Sequence, residues 1–179
     1  MIYFFLAEGF EEIEALCPVD LCRRVGIEVQ TVSITDSRTV TGSHGITVTA
    51  DMTAADPLGD FDMIVLPGGM PGTTNLEASP LVQGALDRAL AEDKYIAAIC
   101  AAPMVLGKRG ILSGKEAICF PGFEQYLDGA TVSENKVVLD GKVLTAAGMG
   151  VSHDFGLAIV EIFKGKEIAE NLGKTVLYK

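Results

Sequence analysis

Tyr95-Ile96-Ala97-Ala98-Ile99-Cys100-Ala101-Ala102-Pro103 is the segment from which the rest of the chain can be read. Tyr95 to Ile99 is a short apolar run of the kind that forms a buried strand. It stops on a cysteine, and the small residues after it open a helix running from Ala101 to Lys108 and ending near Gly110. Strand, cysteine and helix in immediate succession form an elbow that lifts a side chain out of a sheet edge. A thiol at a helix start feels the positive end of the helix dipole, which predicts a lowered pKa and a ready thiolate. The same pattern also fits a cysteine that is only a small buried hydrophobe.

Outward from this elbow, strands and helices alternate. Ile2 to Leu6 reads as a buried strand, followed by a helix over Glu11 to Val25, with Gly26 at its end and Pro18 predicting a kink. Glu28 to Ile34 and Met63 to Leu66 read as further strands, and Thr39 to Thr49 as a hairpin excursion. Pro67-Gly68-Gly69-Met70-Pro71-Gly72 is a glycine-rich turn, and Leu81 to Ala91 is helical by spacing. Val137 to Leu139 and Val143 to Thr145 flank Asp140-Gly141, a strong hairpin signal. Helices over Phe155 to Phe163 and Glu167 to Leu172 complete the chain. The pattern predicts an α/β sandwich, one domain over 1–179, with a mainly parallel central sheet covered by helices on both faces. Ligands in such sheets bind at the C-terminal strand ends, where Gly68-Gly69 and Cys100 both fall.

Composition restricts the function classes. The 179 residues are 49% hydrophobic, enough for a substantial core, and carry a net charge of −10, which disfavours nucleic acid. No apolar run reaches the roughly 18 residues of a membrane span. The apolar start has no basic leader, so a reducing cytoplasm is expected. The cysteines at 17, 22, 100 and 119 form no CxxC pair, and there are two histidines, so no metal site is expected.

A thiolate chemistry needs a proton carrier and an anion hole. Glu11, Glu12 and Glu14 begin the first helix on the same sheet edge as Cys100, although exposed glutamates at a helix start need only the dipole to explain them. Gly68-Gly69 offers backbone N–H groups. Ser152-His153-Asp154 is discounted as a triad, because three consecutive residues cannot face one another in that geometry.

Several stretches together resemble the ThiJ/PfpI superfamily, and within it the branch containing the parkinsonism-associated protein deglycase and bacterial YajL. They are Glu8-Gly9-Phe10-Glu11-Glu12-Ile13-Glu14 with Pro18-Val19-Asp20, Leu66-Pro67-Gly68-Gly69, Ala98-Ile99-Cys100-Ala101-Ala102-Pro103, and Phe155-Gly156-Leu157-Ala158-Ile159-Val160-Glu161. They follow the family's order and cover nearly the whole chain. The resemblance implies a flavodoxin-like fold, a homodimer, Cys100 as nucleophile, and Glu14 as a protonated hydrogen-bond donor to the sulfur. It also implies oxyanion donors at the N–H groups of Gly69 and Ala101, with Gly68, His44, Arg24 and Phe120 as further pocket residues and His44 reaching toward a partner subunit. No cofactor is implied. The implied activity is on small aldehydes or dicarbonyls such as methylglyoxal, or on early glycation adducts. A redox-sensing role through oxidation of Cys100, and a small-anion-binding module, are the alternatives.

The chain departs from the family pattern in three places. Phe120 stands before Pro121, where some relatives have histidine. Ala101 stands where another branch has histidine, which disfavours peptidase chemistry. Gly148-Met149-Gly150-Val151 replaces a Gly-Pro-Gly-Thr turn.

Overall fold

The computed structural model describes residues 1–178. In chain order, β1 (Ile2–Leu6) leads to α1 (Glu12–Arg24) and β2 (Val29–Ser33), then to the small hairpin β3 (Thr39–Thr41) and β4 (Thr47–Thr49). Next come β5 (Met63–Leu66), α2 (Gly72–Ala78), α3 (Pro80–Ala91), β6 (Tyr95–Ile99) and α4 (Pro103–Lys108). The short strands β7 (Glu116–Ala117) and β8 (Thr131–Val132) precede the hairpin β9 (Val137–Asp140) and β10 (Val143–Ala146), and α5 (Ser152–Lys164) and α6 (Lys166–Thr175) close the order.

Six strands form the central sheet in the order β2-β1-β5-β6-β10-β9. All neighbours are parallel except the β9–β10 edge pair, whose Asp140-Gly141 link is the tight turn expected from sequence. Burial on both faces explains why the strands read as continuous apolar runs. In β1, Tyr3 and Phe5 pack under α3 and α4 with Val82, Leu86, Val105 and Leu106. Ile2 and Phe4 point to the other face, where Val19 and Leu21 of α1 meet Phe155 and Ile159 of α5. The result is the three-layer flavodoxin-like sandwich.

Three local expectations are revised. The helix containing Pro18 runs through it without a break, and Pro18 lies against Gly156 of α5, where the missing side chain leaves room for the ring. The glycine-rich turn passes directly into α2, a helix that sequence reading leaves within the turn and that begins without a side-chain cap. The helix after Cys100 begins at Pro103 and has only 6 residues.

The parallel strands β1, β5, β6 and β10 end on one sheet edge. The loops after them therefore converge: Ala7 to Glu11, Pro67 to Pro71, Cys100 to Ala102, and Ala147 to Gly150. Hydrogen bonds stitch these loops together. Glu11 N–H donates to Gly68 O at 2.9 Å, Cys100 N–H to Ala146 O at 2.9 Å, and Phe120 N–H to Cys100 O at 2.8 Å.

Candidate active site at the Cys100 elbow

Cys100 has φ 64°, in the left-handed region that side chains other than glycine rarely occupy. Strand β6 ends one residue earlier, and Ala102 N–H bonds back to Ile99 O at 3.1 Å, closing a tight turn around the cysteine. The turn leaves the thiol half-buried, with the backbone N–H groups of Gly69 and Ala101 directed at the sulfur. Gly69 reaches this position with φ 86°, and a Cβ there would lie 2.4 Å from Glu11 N, so the approach requires glycine.

Glu14 is fully buried beside the thiol. Its Oε2 accepts the Gly68 N–H at 2.9 Å, while Oε1 has no conventional partner. A Cβ on Gly68 would fall 2.5 Å from Glu14 Oε2 and 2.6 Å from Cys100 Cβ, so the absent side chain is what lets the carboxyl and the cysteine meet. Burial pushes Glu14 up to about 7, with the charge of Glu11 adding to it and the thiol and Gly68 N–H pulling the other way.

The lowered thiol pKa expected from sequence is not found. Burial, then the charge and hydrogen bond of Glu14, push Cys100 up to about 12, against the two N–H groups that pull it down. The sequence expectation rested on a helix dipole, but α4 is short and starts three residues later. The nearest ionisable partner is an acid rather than a cation. Cys100 and Glu14 thus titrate as a pair: one proton leaves near 7, and the remaining charge holds the second proton tightly. Within the pair the N–H groups of Gly69 and Ala101 pull charge toward the sulfur, and the Gly68 N–H pulls it toward Glu14.

The other two glutamates are not simply solvated. Glu11 caps α1, its Oε2 accepting the Glu14 N–H at 2.7 Å. Glu12 is buried and holds the β3–β4 loop, accepting the N–H groups of His44 at 2.8 Å and Ile46 at 3.3 Å, with the His44 ring at 3.0 Å. Burial pushes Glu12 up, but the His44 ring and these N–H groups outweigh it and hold the carboxyl below its ordinary value. Glu11, Glu12 and His44 bring ligand atoms within 4.8 Å of one another, a spacing that could hold a cation. The backbone bonds to Glu12 already explain the cluster.

The remaining sequence candidates divide. Gly68 and Phe120 belong to the site. Gly148 belongs there as well: a Cβ on it would lie 3.1 Å from the Phe120 ring and 3.9 Å from Cys100 Sγ. Sequence reading noted Gly148 only as part of an altered turn. Its place follows from the β6–β10 pairing, which no local pattern encodes. Within one chain Arg24 is not part of the site. It lies in the last turn of α1, exposed and paired with Asp20. His44 is exposed and tied to Glu12 rather than to Cys100. Ser152, His153 and Asp154 make no triad: Ser152 Oγ donates to Met149 O, His153 stacks on Tyr178, and Asp154 accepts the Tyr178 hydroxyl.

A flavodoxin-like sandwich with a strained cysteine elbow, a buried carboxyl beside the sulfur and two converging N–H groups defines a class of cysteine-elbow α/β proteins. The DJ-1/PfpI family model matches residues 1–162, and the chain belongs to the DJ-1/PfpI family. It is 36% identical over 175 residues to protein dj-1beta of Drosophila melanogaster, covering 96% of this chain and 94% of that protein. It is 30% identical over 169 residues to a Caenorhabditis elegans protein named glutathione-independent glyoxalase DJR-1.2, covering 93% and 90%. Oxidized Toxoplasma gondii DJ-1 superposes with a TM-score of 0.94 at 34% identity, covering 99% of this chain and 97% of that one.

Proposed function

We propose that the chain is a cofactor-independent glyoxalase of the cysteine type, acting on small α-oxoaldehydes and, by the same chemistry, on early glycation adducts. The observation that carries this reading is the Cys100–Glu14 pair, which holds one mobile proton beside two N–H donors. The Cys100 sulfur adds to the aldehyde carbon, forming the S–C bond, and the Glu14 proton goes to the carbonyl oxygen to give a hemithioacetal. The Gly69 and Ala101 N–H groups hold the oxygen as charge develops on it. Glu14 then takes the proton from the former aldehyde carbon and returns it to the neighbouring ketone carbon, while the hydroxyl proton passes from the first oxygen to the second. The first carbon is thereby oxidised to a thioester and the second reduced to a carbinol. Water cleaves the thioester, releasing a 2-hydroxy acid (lactate from methylglyoxal) and the thiol. Electrons balance within the substrate, so no external oxidant is required.

The test compares methylglyoxal consumption by the wild type and Cys100→Ala. The variant is expected to lose at least about a hundredfold, in line with removal of a covalent nucleophile. Equal rates would end the proposal. A soluble, cytoplasmic homodimer is part of the same reading. The exposed apolar side chains of Ile13 and Ile46 on either side of the Glu12 anchor support a contact between copies.

A second reading, redox sensing, is favoured by the unpartnered Glu14 Oε1. When that carboxyl is protonated it has a hydrogen bond to offer an oxygen added to the sulfur. Two equivalents of hydrogen peroxide would take the thiolate to sulfinate, releasing water. Mass spectrometry after mild peroxide should find Cys100 oxidised before Cys17, Cys22 and Cys119, and a random order of oxidation would exclude the idea.

A further inference from the structure

The polar side of the Cys100 site is made by Glu14, Gly69 and Ala101. Next to it, sharing Gly148 as a neighbour of the thiol, is an apolar groove of about 370 Å³ lined by Phe120, Pro121, Ala147, Met149 and Val151, with Lys136 the only charged lining residue. Phe120 is 47% exposed and Met149 52%, although each is a large apolar side chain. Gly148 lines the groove and lies beside the thiol: a Cβ on it would fall 3.1 Å from the Phe120 ring and 3.9 Å from Cys100 Sγ. The backbone that carries the ring is held by hydrogen bonds. Phe120 N–H bonds to Cys100 O at 2.8 Å, Phe123 N–H to Phe120 O at 3.1 Å, and the strand leading to it is pinned by Ile118 N–H on the buried Thr145 hydroxyl at 3.0 Å. A wall so fixed to the elbow offers no proton, and it contributes shape and apolar contact.

We propose that this groove is the subsite for the substrate's side chain, so that the carbonyl compound taken at Cys100 carries an aromatic or branched apolar substituent in preference to a bare methyl group. This rests on the α-oxoaldehyde reading above and specifies its substrate class. A reacting head held by N–H groups and a carboxyl, with an apolar tail against Phe120 and Met149, matches the two-sided character of the site. Added apolar contact in such a pocket is worth about 10-fold or more in selectivity.

Two measurements on the full-length protein separate this subsite from the reaction assigned to it. The first is alkylation of Cys100 by N-benzyliodoacetamide and by iodoacetamide, followed by intact mass and peptide mapping. The ratio of the two rates should exceed that for free cysteine by about 10-fold, and Phe120→Ala should cut the excess at least 5-fold. Phe120→Leu, which keeps apolar bulk and protects the fold, should give an intermediate ratio. A ratio equal to that of free cysteine, or one indifferent to both variants, overturns the subsite. The second is kcat/KM for phenylglyoxal against methylglyoxal, expected to favour phenylglyoxal by a similar factor. If neither dicarbonyl is consumed while the alkylation ratio holds, the glyoxalase reading fails and the subsite stands. If both are consumed equally and the alkylation ratio is flat, the subsite fails and the glyoxalase reading stands. If Phe120→Ala instead changes the mass in solution with the ratio untouched, the ring is a contact between copies and the subsite is overturned.

Discussion

Burial pushes Glu14 up to about 7, against the pull of the neighbouring thiol, and this makes stability depend on pH. Its folded value lies above its ordinary 4.5, so the native state holds the proton more tightly than the unfolded chain does. The resulting stabilisation is complete below about 4.5 and is lost as pH rises through about 7. It amounts to something on the order of 3 kcal/mol. Urea denaturation of the wild type should therefore show falling stability between pH 5 and pH 8, while Glu14→Gln should be nearly flat there. Parallel profiles would remove Glu14 as the cause. The same variant separates the pair chemically. Glu14→Gln should move the alkylation profile of Cys100 to lower pH, because the charge and hydrogen bond of Glu14 help hold the thiol up and only burial then remains. An unmoved profile would uncouple the two groups. Local pattern placed three glutamates near the thiol, and it was the family resemblance that singled out Glu14. Glu12 and Glu14 are two residues apart on a helix, roughly 200° around its axis. One therefore turns to the β3–β4 loop and the other to the sulfur.

Among the elements, the contact between α1 and α5 positions Glu14, and it depends on Gly156. A Cβ there would sit 2.7 Å from Leu21 Cδ1 and 3.0 Å from Pro18 Cα. The leucine end can turn away, whereas the backbone carbon cannot. Gly156→Ala should cost about 1–3 kcal/mol by overpacking, read as a lowered urea midpoint with unchanged slope. An unchanged midpoint would mean that the two helices separate without penalty. The elements legible in sequence were those with strong local patterns: the apolar runs of β1, β5 and β6, the Asp-Gly hairpin, and the spacing of α3 and α5. The failures had local causes too. Helix α2 hides behind Pro71 and Gly72, residues that read as a turn, and α4 was started too early because Ala101 and Ala102 favour helix yet serve the elbow. The apolar wall of the site was legible only in part. Phe120 was named, but its neighbour Gly148 lies on a loop brought there by non-consecutive strand pairing.

At the scale of the whole molecule, the dimer proposed above turns on exposed apolar groups. Ile13 is 46% exposed and Ile46 54%, and Glu12 ties their segments together through the Ile46 N–H. Light scattering should give twice the chain mass for the wild type and the single mass for Ile46→Asp. A monomeric wild type would remove the dimer and, with it, any role for His44 at a partner's thiol.

The φ of 64° at Cys100 also bears on engineering. A left-handed backbone at a residue with a Cβ costs roughly 1–2 kcal/mol, a strain glycine would not feel. Selection for heat resistance alone would thus favour glycine in place of Cys100, and libraries screened on stability alone should lose the thiol. The wild-type elbow persists only where something downstream continues to reward its chemistry.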